Sequence, residues 1–151
     1  MADLWLTGGG AVTQLLGNDG NNDIQGSTAD ETLSGAEHDV LAGISGHDVV
    51  FGGDGNDLLL TDLGLASLTG GAGNDLLIGG NGDDYIVVDT ANAVVVELTA
   101  EGTDTIASGD IDLYRQDYQH CVALALLGSA NLNLTGGTEG DARRHGQPVW
   151  Q

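Results

Sequence analysis

From Gly17 the chain repeats every nine residues, as GNDGNNDIQ, GSTADETLS, GAEHDVLA, GISGHDVVF, GGDGNDLLL, TDLGLASLT, GGAGNDLLI and GGNGDDYIV, ending at Val87. The third block is one residue short. The eighth position is apolar throughout: Ile24, Leu33, Leu41, Val50, Leu59, Leu68, Leu77 and Ile86. The sixth is acidic at Glu31, Asp39, Asp48, Asp57, Asp75 and Asp84, with Asn22 and Ala66 in the remaining blocks. The first is Gly everywhere except Thr61. A fixed period of this kind points to a stacked repeat rather than a globular core.

Each unit reads as a turn of six residues rich in Gly, Asn and Asp, followed by a three-residue strand whose middle side chain is apolar. A strand that short is marginal alone, so it must stack on its neighbours and bury the eighth-position side chains in a narrow spine. If each block makes half a coil, alternate turns share an edge. One column then holds Asn22, Asp39, Asp57 and Asp75; the other holds Glu31, Asp48, Ala66 and Asp84. Carboxylates stacked at a strand spacing of roughly 4.8 Å repel unless a cation lies between them. Carboxylates with converging carbonyls are hard oxygen donors, of the kind that suits Ca²⁺.

The charge balance supports a cation requirement. There are 23 acidic and 3 basic residues, a formal net charge of -20. The basic residues, Arg115, Arg143 and Arg144, all follow the repeats, and no Lys occurs. Self-repulsion therefore opposes the compact state unless cations bind, and nucleic acid and anionic membrane surfaces are excluded as partners. The 26 Gly against six aromatic residues also argue against a conventional core. The longest apolar run near the C-terminus, Val122 to Leu127, falls far short of a membrane span, and the chain reads as soluble. The N-terminus has neither a basic n-region nor an uninterrupted apolar h-region, so no Sec signal peptide is expected.

The blocks GGDGNDLLL, GGAGNDLLI and GGNGDDYIV match G-G-x-G-x-D-x-U-x at every defining position, and the chain resembles the repeats-in-toxin (RTX), or hemolysin-type, calcium-binding repeat family. The resemblance implies an all-β, right-handed parallel β-roll (a β-solenoid) with several Ca²⁺ ions held between consecutive turns on each edge. It implies metal ligation by Asp39, Asp48, Asp57, Asp75, Asp84 and Glu31. Gly52, Gly53, Gly55, Gly70, Gly71, Gly73, Gly80 and Gly82 would supply carbonyls or permit the turn, and Asp89 would add a ligand to the last turn. The best sites are expected between the turns of Asp39 and Asp57 and between those of Asp57 and Asp75. Glu31 and Asp48 frame a poorer one. Ala66 removes a ligand, so Ca²⁺ should be weak or absent between its turn and those of Asp48 and Asp84.

Residues 17–87 thus form the roll, preceded by an irregular N-terminal cap over 1–16. The following YIVVDTANAVVVELTAEGTDTIASG alternates apolar residues, predicting longer strands. It resembles the family segment Y-x-V-D…V-x-E…E-G-x-D-T-V through Asp89, Glu97, Glu101, Gly102 and Asp104, and implies a C-terminal β cap over 88–137. Within it, CVALALLGSANLNLTGGTEGD resembles a strand pair that precedes a fresh repeat array. Residues 138–151 read as an irregular tail, and the chain as a piece of a larger protein.

Nothing in the sequence carries catalysis. His38 and His47 occupy the variable fifth position and read as solvent-facing; with His120 and His145 they form no H-E-x-x-H pattern. Cys121, in an apolar alternation, reads as a small buried thiol. Ser45 lacks the G-x-S-x-G elbow. The expected function is a non-enzymatic calcium-binding module of a secreted, extracellular bacterial protein, exported by a type I system and folding on Ca²⁺ outside the cell. The family's usual C-terminal secretion signal is not identified in this tail. The alternative is a polysaccharide-binding accessory module of an extracellular carbohydrate-active enzyme, as in alginate epimerases. A third reading makes it the scaffold of an attached enzyme domain, as in serralysin-like proteases and secreted lipases. A monomer or weak dimer is expected.

Overall fold

The computed structural model describes residues 4–7, 13–97, 102–109, 113–114, 123–127, 134–135 and 142–144. Within the repeats each block contributes one short strand: β3 (Asn22–Gln25), β4 (Thr32–Ser34), β5 (Val40–Ala42), β6 (Val49–Asp54), β7 (Leu58–Leu60), β8 (Ser67–Ala72), β9 (Leu76–Ile78) and β10 (Tyr85–Val87). Odd and even strands fall in different sheets, as expected when each nine-residue block makes half a coil. All pairings are parallel. Leu41 lies beside Leu59, and Leu59 beside Leu77, in one sheet; Val50 lies beside Leu68, and Leu68 beside Ile86, in the other. The short third block closes its coil with one residue fewer but keeps register, with Ile24 beside Leu41 and Leu33 beside Val50.

The architecture is an all-β parallel β-solenoid. Its core among the described residues is built on two rows of eighth-position side chains, one from each sheet, all eight with zero exposure, joined by Leu15, Ala66, Val88 and Ile106. Complete burial of such a side chain stabilises by roughly 1.5–3 kcal/mol. These eight side chains are the main apolar contribution among the described residues.

The stack is longer than the recognisable repeats. Residues 1–16, expected as an irregular cap, instead contain β1 (Leu4–Thr7) and β2 (Gln14–Leu16), which pair in parallel with β3 and β4. Leu6 aligns with Ile24 and Leu15 with Leu33, and Leu15 joins the core cluster. After Val87 come β11 (Val94–Val96) and β12 (Thr105–Ser108), of three and four residues rather than the longer strands expected. They continue the sheets, Val95 beside Leu77 and Ile106 beside Ile86. The alternation that suggests long strands arises because Val94 to Val96 supply both outward positions of a rung as well as its inner one.

Farther on, β14 (Ala123–Leu126) and β16 (Ala142–Arg144) extend the even sheet, while β13 (Leu113–Tyr114) and β15 (Leu134–Thr135) form a two-stranded sheet. The strand pair expected around residues 121–141 is therefore split between sheets, and the supposedly irregular tail supplies a strand. Among the described residues, the odd sheet has six strands and the even sheet eight.

Candidate metal centre

The turns preceding odd strands line one edge, and those preceding even strands line the other. On the first edge the amide of Asn22 donates to Asp39 Oδ1 at 2.7 Å, that of Asp39 to Asp57 Oδ1 at 2.8 Å, and that of Asp57 to Asp75 Oδ1 at 3.0 Å. On the second edge the amide of Glu31 donates to Asp48 at 2.9 Å and that of Ala66 to Asp84 at 2.7 Å. Asp39, Asp48, Asp57, Asp75 and Asp84 are thus each fixed by the backbone one coil earlier, in the two columns read from the period. All six acids are buried, with 2–3% exposure.

The repeat glycines serve two separate needs. At the second and fourth positions the backbone is left-handed, for example φ +106° at Gly53 and +142° at Gly73, where an L side chain is strained. Gly55, Gly71, Gly80 and Gly82 share that conformation. Ile44 adopts it as well, at φ 78°, at the second position that the three complete repeats fill with Gly. At the first position the need is space. A Cβ at Gly70 would lie 2.5 Å from Asp75 Oδ2, one at Gly43 2.5 Å from Asp48 Oδ2, and one at Gly52 would meet both Asp57 Oδ2 and the Gly70 carbonyl. The second carboxylate oxygen and neighbouring carbonyls therefore crowd into a cradle that only a glycine leaves open.

Two of these oxygens, Asp57 Oδ2 and Asp75 Oδ2, are buried with no hydrogen-bond partner among the described residues. Burial is the main force raising Asp57 to a pKa of about 6, with the like charges of Asp75 and Asp39 adding to it. Asp48 rises to about 6 for the same first reason, with Glu31 and Asp30 contributing. Asp75 is also raised by burial. Uncompensated buried acceptors are costly. Hard oxygens facing a cradle without a cationic side chain fit a calcium ion.

The predicted acids are not equivalent. Asp39 already accepts a second bond, from the Ala36 amide at 2.9 Å. Glu31 is committed to its own turn, receiving the Ser27 amide at 2.9 Å and the Ser27 hydroxyl. Asn22 takes the Asn18 amide at 2.8 Å and donates back to the turn. Asp89 lies in the turn before β11 and accepts the Gly71 amide at 3.2 Å.

A further grouping joins the last recognisable repeat to residues beyond it. Asp84, Glu97 and Asp104 are all buried, and one ligand atom from each lies within 4.8 Å of the others. The Asp84 amide donates to Asp104 Oδ1 at 3.1 Å, and the Gly79 amide to Glu97 Oε1 at 3.0 Å. Glu97 and Asp104 are absent from the ligands expected above. The legible signal is GTDTIA, in which Gly102, Asp104 and Ile106 stand as the fourth, sixth and eighth positions of a stretched repeat.

His38 and His47 are exposed, as expected of the fifth position. That position also links coils: the Asn56 amide donates to His38 Nδ1 at 2.6 Å, and the Asn74 amide to Asn56 at 2.8 Å. His120, Cys121, His145 and Glu101 lie outside the described residues.

Comparison with known families gives a match to the RTX calcium-binding nonapeptide repeat (4 copies) over residues 7–37, 33–64 and 67–92, more than half of the chain. Neither the curated proteins nor the solved structures give a match. The nonapeptide period, the two buried carboxylate columns and this match agree. The chain belongs to the RTX calcium-binding nonapeptide repeat family.

Proposed function

We propose that this calcium-binding module is a folding switch of a secreted protein: extended while calcium is scarce, a roll once calcium is plentiful outside the cell. The observation that carries this reading is the run of buried carboxylates that includes the Oδ2 atoms of Asp57 and Asp75, without a partner among the described residues. Asp39, Asp57 and Asp75 on one edge, and Asp48 and Asp84 on the other, would hold the ions, with Gly52 and Gly70 keeping the space open. When bound, calcium supplies the positive charge that 23 acidic and 3 basic residues lack.

The rest follows from the chain itself. Without cations, the folded state must hold like charges in adjacent coils and leave buried oxygens unsatisfied. The unfolded chain relieves both by hydration. An ion that binds only the folded state stabilises it by RT ln(1 + [L]/Kd), and extracellular modules bind calcium at about 10⁻⁴–10⁻³ M. Cytosolic calcium lies far below that range, so the same chain is open inside a cell and closed outside.

The test is far-UV circular dichroism from chelator to about 10 mM Ca²⁺, just beyond that range, with Mg²⁺ as the control. A cooperative gain of β signal with Ca²⁺ alone is the expected result. A full β spectrum in chelator, unmoved by calcium, would refute the switch.

A further inference from the structure

One turn departs from the rule that governs the others. In the block 61–69 the first position is Thr61 instead of Gly and the sixth is Ala66 instead of an acid. The two departures are physically coupled. Elsewhere the first-position glycine leaves room for the sixth-position carboxylate of its own block, as at Gly43 with Asp48, Gly70 with Asp75 and Gly79 with Asp84. Ala66 vacates that room, and Thr61 fills it.

Thr61 is 8% exposed, and its hydroxyl donates to the Gly79 carbonyl at 2.6 Å. Gly79 is the first-position residue of the next coil on the same edge. On the other side, a Cβ built on Gly43 would lie 3.0 Å from Thr61 Cγ2. The side chain therefore spans the gap between first positions of successive coils, donating a hydrogen bond to a first-position carbonyl of the kind expected to face an ion in the other turns. A related departure lies on the opposite edge between other positions, from the third-position Thr90 to the fourth-position Gly73 of the coil before. The turn before β11 has Val88, fully buried, at its first position and Ala93 at its sixth, and there the Thr90 hydroxyl donates to the Gly73 carbonyl at 2.6 Å.

We propose that the Thr61/Ala66 turn is an ion-free joint: the Thr61 hydroxyl and methyl take over the bonding between coils that calcium provides at the carboxylate turns. Calcium on this edge is then divided into two groups that load separately, on either side of the joint. The opposite edge carries its acids without interruption from Asp39 to Asp75. This inference rests on the calcium reading above and adds where the ion is replaced by the chain.

The experiment compares calcium bound per chain, by atomic emission after gel filtration in saturating calcium, for wild type, Thr61→Gly/Ala66→Asp and Thr61→Val, with circular dichroism to verify folding. The double variant restores the repeat and is expected to bind one or two more ions, since the restored acid faces the turns of both Asp48 and Asp84. Thr61→Val keeps the volume and loses the hydroxyl, so it should bind the wild-type number of ions while needing a severalfold higher calcium concentration to fold. Equal, non-zero counts for wild type and a folded double variant would overturn the joint while leaving the calcium reading standing. So would loss of an ion in Thr61→Val, because Thr61 would then belong to an ion site. A wild-type count of zero would overturn the calcium reading itself. If the double variant does not fold, Thr61→Val decides: an unchanged count with a raised folding midpoint supports the joint, and any other result removes it.

Discussion

Asp57→Asn should have opposite effects with and without calcium. The amide preserves the shape and the acceptor for the Asp39 amide, now at 2.8 Å, but removes a negative charge flanked by Asp39 and Asp75. A carboxyl raised from 3.8 to about 6 carries a bias of roughly 3 kcal/mol against its charged form at neutral pH. Partial solvent screening at the edge of the roll brings the realised gain to about 1–2 kcal/mol. In chelator at pH 7.5 the variant should therefore be more stable than wild type. Titration with a stabilising osmolyte, followed by circular dichroism, measures this as a lower midpoint for gaining β structure. In calcium the order reverses. Asp57 belongs to the turns on both sides of its coil, so the variant weakens two neighbouring positions, and the calcium midpoint should rise about tenfold or more. A variant less stable than wild type in chelator would show that the Asp57 charge is not a burden in the folded state. An unchanged calcium midpoint would remove Asp57 from the binding sites.

The raised carboxyls also fix the sign of a pH dependence. Asp48 and Asp57 hold protons in the folded state between 3.8 and about 6 that the unfolded chain has released. Their contribution to metal-free stability is therefore greatest below 3.8 and lost as pH rises to about 6. Chelated protein should gain β signal on acidification from pH 7.5 to about 4.5; a loss would contradict the buried-carboxylate picture. Gly73→Ala places a Cβ on the Gly55 carbonyl oxygen at a backbone of φ +142°, and should cost about 2 kcal/mol or more, read as a raised calcium midpoint. Ile44→Gly acts the other way: relieving a left-handed β-branched residue returns about 1–2 kcal/mol, partly offset by glycine's backbone entropy. Thermal melting in calcium should show a modest rise. Leu59→Ala, at zero exposure in the spine, should destabilise by about 2–5 kcal/mol in urea unfolding.

What was legible in the sequence was whatever recurs with the period. The eighth-position residues, from Ile24 to Ile86, are the spine, and the division of acids into two columns follows from half a coil per block. What was illegible are the rungs that keep the geometry but not the letters. Leu6 and Leu15 lie in register with Ile24 and Leu33, but the block before Leu15, GGGAVTQLL, has Thr13 in place of an acid at its sixth position and no fourth-position glycine, so residues 1–16 read as irregular. Glu97 and Asp104 belong to a half-coil lengthened beyond nine residues, and a fixed count steps past them. A parallel rung needs only an apolar residue beside its neighbour's; the length of the intervening turn can stretch. Ligand quality was equally hidden. Asp39 and Asp57 are the same letter at the same position, yet the short third block brings the Ala36 amide onto Asp39 and leaves Asp57 Oδ2 without a partner among the described residues.

The buried ladder along the first edge has a direction. In every bond from Asn22 to Asp75 the oxygen comes from the later coil and the amide from the earlier one, 17 or 18 residues before. Closure of a coil is therefore written downstream of it. Removing residues from the C-terminal side of the repeats opens the coil just before the cut, whereas a cut on the N-terminal side leaves a carboxylate that water can solvate. The two ends of this roll are chemically different even where their sequences look alike.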